Sequence, residues 1–157
     1  MRKLKSLWLV SVVLLLVSCS MSAKSDKSSE AGTASKGEVV TLNKAEFLQK
    51  VFNYEKNATK WVYEGDKPCI IDFYADWCGP CKQVAPILRD LAILYKNDIV
   101  VYKVNVDKER ELAALFNASS IPLFVFIPME GEPQLFRGAA DKATYQKAIE
   151  DFLLKKK

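Results

Sequence analysis

The chain predicts an α/β domain, a central mixed β-sheet flanked by helices, and three observations carry that prediction. Residues 69–75 form an apolar run broken only by Asp72, the pattern of a strand covered on both faces. Segments of helical period alternate with further short apolar runs, as in successive βαβ units. Late in the chain, residues 123–127 and 134–136 flank Pro128-Met129-Glu130-Gly131-Glu132-Pro133. That spacing predicts an antiparallel hairpin, which makes the sheet mixed.

The elements follow in order. Residues 39–42 read as a short strand. Asn43 then supplies an N-cap with Glu46 three residues on, and Leu42 can staple to Phe47, so a helix is expected from Lys44 to residue 52 or 54. Residues 55–67 are polar and turn-rich around Trp61 and Tyr63, and are expected to cover the edge of the core. After the strand at 69–75 a helix is expected from Pro80 to Tyr95, kinked at Pro86. Residues 99–106 give a third strand ended by Asp107, and 108–116 a third helix. Beyond the hairpin, Asp141 caps a last helix over 142–154, with Tyr145, Ala148, Ile149 and Phe152 on its apolar face.

The 157 residues leave room for one such domain, and the front of the chain is of another kind. Met1-Arg2-Lys3-Leu4-Lys5 is basic, and residues 7–17 are apolar except for Ser11. That stretch is about half the ~20 residues needed to cross a bilayer and fits a signal peptide. Leu16-Val17-Ser18-Cys19 resembles the lipobox of bacterial lipoproteins, in which cleavage leaves the cysteine as a lipid-bearing N-terminus. Residues 1–18 are therefore expected to be a lipoprotein signal peptide. Residues 19–38 are expected to be a flexible tether carrying lipidated Cys19, and 39–157 the folded domain, exported and anchored to a bacterial membrane. A coil of the tether's length reaches roughly 24 Å. The formal net charge of +4 is owed mostly to Arg2, Lys3 and Lys5. With no glycine-rich phosphate loop, nothing argues for nucleic-acid or nucleotide binding.

The chemistry sits in Trp77-Cys78-Gly79-Pro80-Cys81-Lys82, directly after the apolar strand. Two cysteines separated by two residues at a helix start can close a small reversible disulfide, and the helix N-terminus favours a thiolate on the first sulfur. A zinc site is hard to assemble, because the chain has no histidine and its other cysteines, Cys19 and Cys69, form no second pair. No metal or other cofactor is expected. A purely structural disulfide closing so short a loop would stabilise little. The pair therefore reads as redox-active. Asp72 is an acid in an apolar strand, so burial should raise its pKa, either as a proton relay to Cys81 or as a structural acid partnered by Lys103. Cys69, three residues before it, should be a small buried hydrophobe on the opposite side of the sheet.

The element order, together with Asp72-Phe73-Tyr74-Ala75-Asp76-Trp77-Cys78-Gly79-Pro80-Cys81-Lys82, Ala85-Pro86, Lys103-Val104-Asn105-Val106-Asp107, Ser120-Ile121-Pro122 and Gly138-Ala139, resembles the thioredoxin family over nearly all of residues 39–157. The 41-residue step from Cys81 to Pro122 is as short as in plain thioredoxins and leaves no room for the insertions of oxidase or cytochrome-maturation relatives.

The resemblance implies a thioredoxin fold and a protein-disulfide oxidoreductase. Cys78 would be the exposed nucleophile and Cys81 the more buried resolving thiol. Asp72 would relay the proton, tuned by Lys103. Ile121-Pro122 would be a cis peptide facing the disulfide, and Trp77, Ile121 and Gly138 would flank a groove for an extended substrate. The Gly79-Pro80 spacer resembles that of reducing thioredoxins, so a reductase is expected ahead of an oxidase, an isomerase or a supplier of reductant for cytochrome maturation. A binding module with incidental cysteines is the reading of another class. Leu123 and Ser120 depart from the threonine and glycine common in the family, which predicts a more apolar groove. A monomer is expected, with disulfide-containing client proteins and a membrane thiol electron donor as partners.

Overall fold

The structure, a computed structural model, describes residues 37–156. Its elements run β1 (Val39–Thr41), α1 (Lys44–Lys50), β2 (Cys69–Tyr74), α2 (Gly79–Leu94), β3 (Val100–Asn105), α3 (Arg110–Leu115), β4 (Leu123–Ile127), β5 (Gln134–Arg137) and α4 (Lys142–Ala148), and α4 continues as a π-helical turn over Ile149–Leu153. The leader at 1–18, Cys19 and the tether as far as residue 36 lie outside the described residues. Among the described residues, no helix is long and apolar enough to cross a membrane.

The sheet has the order β1-β3-β2-β4-β5, with β1, β3 and β2 parallel and β4 and β5 antiparallel. β2 lies at its centre, and all its residues but Tyr74 are buried, which is why its sequence is apolar on both parities. One parity (Cys69, Ile71, Phe73) packs with Leu42, Phe47 and Val51 and with Leu112 and Phe116. Ile70, on the other parity, packs with Phe124, Phe126, Val84, Leu88, Leu91 and Tyr145. Among the described residues, the buried core side chains run from Leu42 to Leu153. Trp61 and Tyr63 pack on the edge of the first face, as their turn-rich surroundings predicted.

Local signals place several boundaries. Asn43 Oδ1 accepts from the Glu46 N–H at 2.9 Å and Glu46 answers at the Asn43 N–H, the expected capping box. Asp141 caps α4 through the Thr144 N–H. Helix α2 runs unbroken through Pro86.

Three helices end or begin differently from expectation. Helix α1 stops at Lys50 because Phe52 pairs with Tyr63 in an isolated bridge. Helix α3 starts at Arg110 because the N–H groups of Lys108 and Glu109 are taken by the Asn105 carbonyl in a turn. The last helix widens after Ala148, where the Leu154 N–H reaches back five residues to the Ile149 carbonyl.

Asn43→Ala removes the cap of α1 and should cost about 1 kcal/mol. Urea unfolding checks this, and an unchanged midpoint would show that the cap contributes nothing measurable.

Candidate redox site

The strand-to-helix turn positions the cysteines. β2 ends, the Cys78 N–H donates to the Ala75 carbonyl at 3.1 Å, and Cys78 becomes the N-cap of α2 with Pro80 in the first turn. The Cys78 side chain takes the place that a serine or aspartate oxygen commonly holds: its Sγ accepts from the Cys81 N–H at 3.2 Å. When reduced, that sulfur faces the positive end of a 16-residue helix, the environment that lowers a thiol pKa. Cys78 and Cys81 are joined in a disulfide.

The expected contrast in exposure is absent from the oxidised form, where Cys78 is 3% and Cys81 4% exposed. The bonded sulfurs shield each other, and Ala75, Tyr74, Val106 and Ile121 pack around them. Gly79 and Pro80 form the exposed crest of the turn.

Asp72 is 6% exposed, and its Oδ1 has no hydrogen-bond partner. Burial pushes its carboxyl up from 3.8 to about 7, against a smaller opposing pull from Lys103. The two residues are register partners on adjacent strands, yet the Lys103 ammonium lies over the Tyr74 ring at 5.7 Å and makes no ion pair with Asp72. The structural-acid alternative thus lacks the partner it needs. Asp72, Cys81 and Lys103 line one cavity of about 620 Å³ along α2, with Lys82 and Arg89 also on its wall. Cys69 faces the other side of the sheet, fully buried, and burial pushes its thiol up to about 12.

The Ile121-Pro122 peptide is cis, and the Gly138 N–H donates to the Pro122 carbonyl at 2.9 Å. Gly138 has φ +90°, which glycine adopts without strain, so this turn can close beside the proline loop. Ile121 packs on the disulfide. Leu123 does not make the groove more apolar: it is 0% exposed and belongs to the core opposite α2, while Ser120 is exposed. A residue after the proline loop already lies in β4, and its parity there points it inward.

Trp77 is 69% exposed, a large apolar surface beside Cys78. Its Nε1–H donates to Asp107 Oδ2 at 3.0 Å. Buried Asn105 shapes the turn that presents Asp107, its Oδ1 accepting from the Asp107 N–H at 2.9 Å and from the Lys108 N–H at 3.3 Å. Sequence reasoning took Asp107 only as a strand end. The signal was present in the Asn-x-Asp pattern, a side chain two residues before its backbone target.

Two outcomes follow. An aspartic acid titrating near 3.8 unfolded and about 7 folded makes the fold lose stability as pH rises from ~4 to ~7. Asp72→Asn should therefore add on the order of 4 kcal/mol at pH 8 and close to nothing at pH 3.5, read by urea unfolding at both. Equal gains at the two pH values would contradict the buried neutral acid. Asp107→Ala should free the Trp77 indole and lower kcat/KM for a protein disulfide about fivefold, whereas Asp107→Asn keeps an acceptor and most of the rate. Time-resolved tryptophan anisotropy checks the same variants, and an unmoved Trp77 in Asp107→Ala would refute the tether.

A family model for thioredoxin matches residues 38–151. A thioredoxin of Borreliella burgdorferi is 42% identical over 113 residues, 72% of this chain and 96% of the relative. A chloroplastic M-type thioredoxin of Spinacia oleracea is 35% identical over 115 residues, 73% of this chain and 64% of the relative. Among solved structures, a mutant thioredoxin from Halobacterium salinarum NRC-1 superposes with a TM-score of 0.60 at 27% identity, covering 78% of this chain and 96% of that one. With a disulfide at a helix N-cap, a cis-proline loop beside it and these likenesses, the chain belongs to the thioredoxin family and is a thiol–disulfide oxidoreductase with Cys78 and Cys81 as its redox pair.

Proposed function

We propose that this protein is an exported, lipid-anchored reductase of protein disulfides. The observation that carries the chemistry is the Cys78 sulfur at the N-cap of α2, with a buried acid and the second cysteine on one shared cavity. The Cys78 thiolate attacks one sulfur of a substrate disulfide, forming a mixed disulfide and releasing the other sulfur as a thiolate. The Cys81 thiolate then attacks the Cys78 sulfur, which closes the Cys78–Cys81 bond and frees the second substrate thiolate. Two electrons pass to the substrate.

Asp72, half ionised near pH 7, takes the Cys81 proton as that thiol becomes a nucleophile, and Lys103 tempers its basicity. Water entering the shared cavity can bridge the two groups. Ile121 packs on the disulfide, and in this reading Trp77, Pro122 and Gly138 flank the same groove, the exposed indole supplying an apolar contact for an extended client segment. Gly79-Pro80 keeps the turn stiff, in keeping with a reducing pair.

Anchoring rests on the basic, then apolar leader and on Leu16-Val17-Ser18-Cys19. The family match begins at residue 38, the last residue of the tether, and excludes the leader. A reductase outside the cytoplasm must be recharged by a dithiol, so the recharging partner is a membrane protein that delivers two electrons and two protons.

Equilibration of the Cys78/Cys81 couple against graded thiol buffers tests the direction. A potential of about −250 mV or below is expected, and a value between about −180 and −120 mV would make disulfide formation or shuffling the function instead. Cys81→Ser should trap client proteins as mixed disulfides on Cys78. Client binding that survives Cys78→Ser with Cys81→Ser, with no disulfide reduction by the native protein, would mark a binding module. Cys19→Ala should release the protein from the membrane fraction, and its full retention there would count against lipidation.

A further inference from the structure

The described chain enters the domain at the end opposite the disulfide. Gly37 has φ +95°, and a Cβ on it would lie 3.4 Å from Ile93 Cα and from Lys96 Cβ. Ile93 lies in the last turn of α2 and Lys96 just past its C-cap Tyr95, and Cys78 caps the helix's other end. Sixteen helical residues separate the two by about 24 Å.

That far end carries exposed apolar side chains and exposed lysines. Ile93 and Leu94 stand 61% and 55% exposed on the last turn of α2. Lys96 is exposed just beyond them. The chain returns to the same place after the π-helical turn: the Lys156 N–H donates to the Glu150 carbonyl, and its ammonium lies 5.9 Å over the Tyr95 ring. Lys155, beside it, is exposed. The nearby carboxylates are Glu38, Asp98 and Glu150, and Glu150 is occupied by the Tyr95 hydroxyl at 2.7 Å. Among the described residues, Lys96, Lys155 and Lys156 equal these three carboxylates in number, and Lys36 and Lys157 flank them in sequence.

We propose that this end of the domain rests on the anionic headgroups of the lipid bilayer. Ile93 and Leu94 settle among the headgroups, and Lys96, Lys155 and Lys156 meet their phosphates. The inference rests on the reading of Cys19 as the lipid-bearing residue, because the tether from that anchor joins the domain at Gly37, inside the patch. The lipid holds the protein at the surface, and the patch decides which way it faces. The Cys78–Cys81 turn is then held about one helix length off the bilayer, turned toward clients in the aqueous space. Each lysine near an anionic surface strengthens partitioning about fivefold at low salt, so three together give about a hundredfold.

The test uses the polypeptide from Ser20 onward, which carries every described residue and no lipid. Cosedimentation is measured with phosphatidylcholine vesicles and with phosphatidylcholine vesicles containing about a third phosphatidylglycerol. Binding to the anionic vesicles alone is expected, weakened by salt. It should fall about a hundredfold with Lys96→Gln, Lys155→Gln and Lys156→Gln combined, and should weaken with Ile93→Ser, while disulfide reduction in solution stays unchanged. No binding to the anionic vesicles, or binding that the triple variant leaves intact, overturns the proposal. A patch that serves a membrane protein instead would give the first of these results. The vesicle assay does not involve Cys19, and the fate of Cys19→Ala in membrane fractions does not involve the patch, so each reading fails separately.

Discussion

Everything reactive in this molecule depends on where the chain stops being a strand and becomes a helix. The Cys78 N–H is fixed to the Ala75 carbonyl and the Cys78 sulfur to the first turn of α2. One geometry therefore sets a sulfur at the positive end of a helix and brings the second sulfur within bonding reach one turn later. It also aims α2 across the sheet face that carries Asp72. The turn cannot relax, because Val84, Leu88 and Leu91 lock α2 against Ile70 and Phe124. Core packing thus maintains the redox geometry, and a cavity cut at Leu88 would be felt at the cysteines.

Asp72 is the one residue of β2 that works against the fold. Its burial outweighs the field of Lys103, because the lysine is half-buried and turned toward Tyr74, where it keeps its own contact with water and ring. Ionisation of so buried a group costs stability on the order of kilocalories per mole. The result is an acid whose pKa is raised to about 7 on the wall of a cavity that Cys81 also lines. Local instability and a usable pKa have the same cause, the removal of water from one carboxylate.

Much of this was legible in the sequence, and the limits have physical reasons. Asn43 with Glu46, Asp141 with Thr144 and the double-parity apolarity of β2 are local signals, read from neighbours in the chain. The cysteine pair and the proline loop were legible because their spacing is itself the motif. Phe52 leaving α1 for Tyr63, and the π-helical turn that buries both Ile149 and Leu153, are decided by partners distant in sequence. The inward turn of Leu123 depends on strand parity that starts one residue after the proline, a boundary too fine for pattern reading. Cys78 was expected to be exposed because a nucleophile must be reached. In the disulfide-bonded form both sulfurs instead lie under Tyr74, Val106 and Ile121.

The loops around the disulfide come from four parts of the chain, and each is tied down by a specific bond. Cys78 holds to Ala75, Val106 to Tyr74, Asp107 to Asn105, and Gly138 to Pro122. Loops so fixed are formed before any disulfide substrate arrives, so contact with them need not order them. It also explains why the indole of Trp77 needs Asp107: an aromatic 69% exposed would otherwise rotate freely, and the preformed wall would be lost. The rim around Cys78 is thus held by backbone and side-chain bonds, while beneath it Asp72 stays buried with an unpartnered Oδ1, so rigidity and local instability lie side by side at one end of β2.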